Sequence, residues 1–201
     1  MLQNRDYTLI IDMSGSMSTA DQPGGLTRWA AAQESTLALA RKCEQLDPDG
    51  ITVYVFSTRF QRYDNVTSDK VTQVFAENRP GGLTNLAPPL QHALQGYLSR
   101  RSEVGYDKSG ETILVITDGQ RSDQEAVIDV IIRATQALDR DEEVGISFIQ
   151  VGDDLQALRF LKTLDDQLLT IGAKFDICDT ILMDEMADMS LAEVLINAIE
   201  D

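Results

Sequence analysis

Basic residues are scarce: seventeen Lys and Arg stand against thirty-three Asp and Glu, a net charge of −16. Such a surface repels phosphate backbones and anionic membranes, so neither nucleic acid nor a membrane is the expected partner. It suits divalent cations and basic protein surfaces, and it keeps a chain soluble. Cysteine appears twice, as Cys43 in a helix-like stretch and Cys178 in a strand-like one. Two such distant thiols read as reduced and partly buried, in a reducing compartment. His92 is the single histidine. It lies in a predicted helix with no second imidazole or thiol near it in sequence, and reads as an ordinary helix residue. No apolar run approaches the ~20 residues needed to cross a bilayer. The opening MLQNRDYTLIID lacks a basic stretch and a cleavage site, so no signal peptide is expected and the cytoplasm is the default. Also lacking is G-x-S-x-G, and with it the nucleophile elbow of a serine hydrolase. No G-x-G-x-x-G follows the first strand, and that strand's acidic turn would repel a pyrophosphate.

What is present reads as a single domain over residues 1–201, with 43% apolar and 25% charged residues. A chain of that length buries about 70% of its unfolded surface. Tyr7 to Ile11 is a compact apolar run, read as a buried strand. The Gly/Pro-rich loop STADQPGGLT follows, and then RWAAAQESTLALARKCEQL, whose Trp29, Ala32, Thr36, Leu39, Ala40 and Cys43 recur at threes and fours. That is a helix, stopped by Pro48 and Gly50. Further strands are predicted at ITVYVFS (51–57), QRYDNV, TILVIT (112–117), within EVGISFIQVG, and at KFDICDTI. Helices are predicted at DKVTQVFAEN, LAPPLQHALQGYLSR, QEAVIDVIIRATQALDR, DDLQALRFLKTLDDQLL and SLAEVLINAIED, the last with Ser190 as N-cap. The acidic DRDEEV reads as solvated loop charge, and Asp153 and Asp154 as residues at a helix's positive end. Alternating strands and helices define an α/β, doubly wound (Rossmann-like), mostly parallel sheet with helices on both faces. Ligands in such sheets sit beyond the C-terminal strand ends, where strand order switches.

On that edge the first strand delivers LIIDMSGSM, with Asp12, Ser14 and Ser16 at steps of two. The fourth delivers Thr117, Asp118 and Gly119, and the loop RPGGLTNL carries Thr84. Two carboxylates brought together repel and each is costly to desolvate; a cation between them offsets both effects. All the donors are oxygen and most are neutral hydroxyls, which excludes an ordinary zinc centre. Mg²⁺ fits best, Mn²⁺ also fits, and Ca²⁺ prefers more carboxylates. Gly15 is expected to turn both serines inward, and Gly81 and Gly82 to let the Thr84 loop approach closely.

IIDMSGSM resembles the D-x-S-x-S motif of the von Willebrand factor A family, GGLTNLAPPLQHAL its segment with the distant Thr ligand, and VITDG its strand-end Asp. Together these resemble that family's metal-ion-dependent adhesion site, and the order of strands and helices agrees over nearly the whole chain. The resemblance implies a six-stranded sheet with one short antiparallel edge strand around Gln61 to Val66. It implies direct ligation by Ser14 and Ser16, and ligation by Thr84 directly or through water. Asp12 and Asp118 would act through water or by holding the serines. It further implies a metal-dependent protein-binding module like stand-alone bacterial intracellular members, in which an Asp or Glu of a partner protein fills the open position on the metal. The departure from the pattern is the loop from Ser18 to Thr27, which is long and lies beside the site; it could gate the metal or add partner contacts.

Binding is therefore expected rather than catalysis. A haloacid-dehalogenase-like phosphatase also uses Mg²⁺ beyond a first apolar strand, but needs a second Asp where Ser14 stands. An aspartic protease needs Asp-Thr/Ser-Gly twice, and Met13 interrupts the first copy. The other reading of a different class is a structural assembly subunit whose metal only stabilises the fold.

Overall fold

The computed structural model describes residues 4–46, 50–119, 123–188 and 194. Its strands are β1 (Asp6–Asp12), β2 (Ile51–Phe56), β3 (Phe60–Val66), β4 (Glu111–Thr117), β5 (Val144–Gln150) and β6 (Cys178–Leu182). Its α-helices are α1 (Arg28–Leu46), α2 (Ser68–Glu77), α3 (Ala87–Arg100), α4 (Gln124–Ala137) and α5 (Leu155–Asp166). The strands form a six-stranded sheet in the order β3-β2-β1-β4-β5-β6. All neighbours run parallel except β2 and β3, which are antiparallel. The expected α/β sheet and its antiparallel edge strand are both present.

Side chains of a strand alternate between faces, and here both faces are apolar. Ile10, Ile113, Val115, Ile146 and Phe148 pack against α3, α4 and α5. Leu9, Ile11, Leu114, Ile116 and Ile149 pack against α1 and α2. Cys178 belongs to the first cluster and Cys43 to the second, so the sheet separates them. Helix α1 begins where Thr27 Oγ1 accepts the Ala30 N–H at 3.1 Å. Pro88 and Pro89 sit in the first turn of α3, where a missing N–H costs nothing. Asp154 caps α5, accepting from the Gln156 and Ala157 N–H groups at 2.8 and 3.0 Å.

Some element ends depart from the sequence reading. Helix α4 stops at Ala137 rather than continuing to Arg140. The cause is Glu143, whose Oε1 accepts the N–H groups of Asp139 and Arg140, each at 2.9 Å, while its Oε2 meets Tyr97 and Arg101. Glu143 is only 5% exposed, so DRDEEV is in part a built structure and not simply solvated charge. Strand β6 begins at Cys178 because Lys174 is tied to α4, its N–H on Thr135 Oγ1 and its Nζ on the Leu138 carbonyl. The predicted helix 190–201 with its Ser190 cap lies outside the described residues, apart from residue 194. Among the described residues no helix is long and apolar enough to cross a membrane.

Candidate metal centre

The sheet order places β2 on one side of β1 and β4 on the other, so the crossovers diverge between β1 and β4. Registered pairing of Ile11 with Ile116 puts the ends of these two strands side by side. Asp12 ends β1, and Asp118 follows β4 directly. Both carboxylates are fully buried. Asp12 Oδ1 accepts the Ser14 N–H at 2.7 Å, and its Oδ2 accepts the Thr117 hydroxyl at 2.8 Å. That hydroxyl in turn accepts the Gly119 N–H at 3.0 Å. Thr117 is thus fixed as the link between the two strand ends.

After Asp12 the chain enters a 3₁₀ turn, Gly15–Ser18, with Ser14 at its N-cap. The turn brings the Ser14 and Ser16 hydroxyl oxygens within 3.0 Å of one another. Two backbone bonds latch the Thr84 loop onto it: Gly15 N–H to the Gly82 carbonyl at 3.2 Å, and Gly81 N–H to the Met13 carbonyl at 2.8 Å. Ser14, Ser16 and Thr84 then line one cleft of about 630 Å³. The structure brings all five sequence-predicted residues to this edge, the hydroxyls at the cleft and the carboxylates behind them.

The glycines divide differently from the sequence reading. Gly82 has φ +84°, and a Cβ there would lie 2.8 Å from Thr58 Oγ1, so glycine is required. Gly15 and Gly81 do not have positive φ, and a Cβ at either meets nothing closer than 3.7 Å. A 3₁₀ turn asks nothing special of its first residue, so Gly15 is not what turns the serines inward.

The electrostatics of the two carboxylates differ. Burial first, and then the neighbouring Asp118, push the Asp12 carboxyl up to about 6, against the hydrogen bonds from Ser14 and Thr117. Among the described residues no basic side chain pairs with Asp12. Asp118 has one: Arg28 Nη1 lies 3.1 Å from its Oδ2. A buried carboxylate held close to a second, under a cleft lined by hydroxyls, fits a hard divalent cation. Among the described residues no three His, Cys, Asp or Glu side chains converge as a metal group, which leaves hydroxyls as the remaining donors.

Two contributors were not in the predicted set. Thr117 had a visible signal, since it directly precedes Asp118. Arg28 had a subtler one: the buried positions Ala32 and Thr36, extended back by four, land on it. Trp29, one residue on, is only partly buried and packs on Phe75 at 4.4 Å between ring centroids. His92 is engaged elsewhere, with Nδ1 2.8 Å from the Tyr54 hydroxyl.

Comparison with known proteins bears on the fold and the family. No curated protein matches the chain in sequence. Its fold is similar to that of BatB from Bacteroides thetaiotaomicron, at 22% identity over 74% of this chain and 67% of that one, with a TM-score of 0.51. It is similar to the manganese-loaded TRAP protein of Plasmodium vivax, at 16% identity over 98% and 74% of the two chains, with a TM-score of 0.61. It is also similar to the D319A mutant of the PilB minor pilin from Streptococcus sanguinis, at 13% identity, with a TM-score of 0.60, covering 96% of this chain but 62% of that one. The family model for the von Willebrand factor type A domain matches residues 7–120, more than half of the chain, from the second residue of β1 past the end of β4. The chain belongs to the von Willebrand factor type A domain family.

Proposed function

We propose that the chain is a metal-dependent protein-binding module. Ser14, Ser16 and Thr84 would hold Mg²⁺, or Mn²⁺ or Ca²⁺ in its place, while Asp12 and Asp118 hold the serines and the ion's waters. The observation that carries the reading is Asp12: fully buried, next to Asp118, without a basic partner among the described residues, and directly bonded to the serine turn. The TRAP structure of similar fold is manganese-loaded, and the donor chemistry here supports extending a divalent ion to this chain.

A cation held mostly by neutral hydroxyls keeps most of its charge and attracts a carboxylate from outside. The partner is accordingly a protein offering an Asp or Glu, and the setting is a bacterial intracellular complex in which this domain is a scaffold or regulatory component. The two thiols on opposite faces of the sheet suit such a reducing compartment. The proposal assigns no catalysis: Ser14 stands where a phosphatase needs its second Asp, and His92 is bonded to Tyr54.

Calorimetric titration of Mg²⁺, Mn²⁺ and Ca²⁺ into wild type and Asp12→Ala tests the site, because a chain of charge −16 binds divalent ions loosely anywhere. One site per chain, lost in the variant, is the expected result. Identical weak binding by both proteins would refute it. Affinity capture with and without chelator tests the partner: a complex equally tight in excess EDTA would favour the structural-subunit reading. Turnover of a phosphomonoester with Mg²⁺ would overturn the assignment as a non-enzyme.

A further inference from the structure

Arg28 is the first residue of α1 and is only 7% exposed. Burying an arginine is costly unless its charge is matched, and here it is matched twice. Nη1 donates to Asp118 Oδ2 at 3.1 Å. Nε and Nη2 donate to the Asp21 carboxylate, the shortest contact being 2.6 Å. Asp21 lies in the Ser18–Thr27 loop, which is also tied to the helix by the Arg28 N–H on the Thr19 carbonyl at 2.9 Å. The slot for the guanidinium is built into the fold. Gly152, just past β5, has φ +80°, and a Cβ there would stand 2.9 Å from Arg28 Cζ. A side chain at residue 152 would strain the backbone and push the guanidinium from this position.

We propose that Arg28 is a built-in counter-cation of the metal centre, a positioning residue that holds Asp118 at one end and the Asp21 loop at the other, and so sets how strongly the site takes a divalent ion. This rests on the metal-binding function proposed above, because it needs Asp118 to face the ion. Asp12 and Asp118 together present two negative charges, and Arg28 cancels one of them at contact distance. Without a metal, Arg28 relieves the burial of Asp118 and preserves the site's shape. With a metal, the same positive charge weakens the attraction that the ion feels. Asp21 moderates this by drawing off part of the guanidinium's field. The long loop thereby has a specific role: it carries the carboxylate that tunes the arginine.

Replacing Arg28 by Gln leaves both aspartates unbalanced towards the ion, and Mg²⁺ should bind on the order of tenfold tighter, given a unit charge a few ångströms away in a partly screened interior. A purely structural arginine would give unchanged or weaker binding when lost. Asp21→Asn should act oppositely and weaken Mg²⁺ several-fold. In the Arg28→Gln background the Asp21 change should have no further effect, whereas a long-range charge effect would persist. Arg28→Lys keeps the charge without the fork that spans both carboxylates, and should bind Mg²⁺ no more tightly than wild type.

The experiment is calorimetric titration of Mg²⁺ into wild type, Arg28→Gln, Arg28→Lys, Asp21→Asn and the Arg28→Gln/Asp21→Asn double variant, with Asp12→Ala as the control for the site. Tighter binding in Arg28→Gln, weaker binding in Asp21→Asn and loss of the Asp21 effect in the double variant support the proposal. If Arg28→Gln fails to fold, the Asp21→Asn and Arg28→Lys pair decides: unchanged affinity in Asp21→Asn, or tighter binding in Arg28→Lys, overturns it. One wild-type site that Arg28→Gln leaves unchanged or weakened overturns the role of Arg28 alone. Wild-type binding indistinguishable from that of Asp12→Ala overturns the metal-binding function and this inference with it.

Discussion

Gly81 and Gly82 are adjacent, identical and in the same loop, yet they should respond oppositely to alanine. At Gly82 the backbone has φ +84°, a left-handed conformation that costs an L-residue about 1–2 kcal/mol. A Cβ would also press on Thr58 Oγ1, which accepts the Leu83 N–H at 3.2 Å. Moving Thr58 aside forfeits that bond, a net loss of about 1 kcal/mol. Gly82→Ala should therefore destabilise by about 2–3 kcal/mol in total. For a chain of this size that lowers the melting temperature by about 4–12 °C. At Gly81 the φ is not positive, and a Cβ added there would meet nothing within 4 Å. Gly81→Ala should be neutral to stabilising, by up to about 1 kcal/mol, through the unfolded chain's lost freedom. The Gly82 carbonyl also receives the Gly15 N–H that latches the loop to the serine turn, so Gly82→Ala should weaken Mg²⁺ as well, and Gly81→Ala should not. Urea unfolding and Mg²⁺ calorimetry on both variants suffice. Equal stability of the two variants would refute the geometric reasoning.

Other expectations can be checked with the same protein. Glu111, buried beside Arg100 and the Thr8 hydroxyl, has its carboxyl pushed from an ordinary 4.5 up to about 7 by burial, against the pull of Arg100. A carboxyl raised on folding contributes its full stability below about 4.5 and loses it as pH rises to about 7, a change of about 3 kcal/mol. The stability difference between wild type and Glu111→Gln in EDTA should shift by about that amount between roughly pH 4.5 and 7.5; a pH-independent difference would count against it. Mg²⁺ at a hundredfold excess over its Kd should stabilise wild type by about 2.7 kcal/mol, visible as a higher melting temperature, and the same addition should leave Asp12→Asn unmoved. Thr117→Val removes the hydroxyl that both donates to Asp12 and accepts from Gly119. It should cost about 1–3 kcal/mol in chemical denaturation and weaken Mg²⁺ binding; wild-type values for both would mean Thr117 is not the link between the strand ends.

Much of the site could be read in the sequence because its parts are local. Asp12, Ser14 and Ser16 lie within five residues, and a strand followed by a turn delivers them together whatever else the chain does. Asp118 was legible because it follows an apolar run whose place in a parallel sheet has few alternatives, and Thr84 because its loop, GGLTN, runs into a Pro-started helix in a segment that resembles the family's. Gly15 misled because a glycine in a turn suggests an unusual backbone, while the turn that forms here is one any residue adopts. Glu143 misled because an acidic run suggests solvent, and only the arrival of Arg101 and Tyr97 from the α3 segment makes one of its members structural.

The amino-acid pattern by itself determined the alternation of strands and helices, the apolar character of both sheet faces and the oxygen chemistry at the strand ends, since each depends on neighbours a few residues apart. Tertiary structure alone decided which distant groups meet. Arg28 and Asp118 are ninety positions apart in sequence. Their contact exists because β1 and β4 are adjacent, α1 packs on one face of the sheet, and Gly152 leaves a slot for a guanidinium. A charge's partner is set by distance in space, and in a doubly wound sheet that distance is fixed by strand order, which no local spacing encodes.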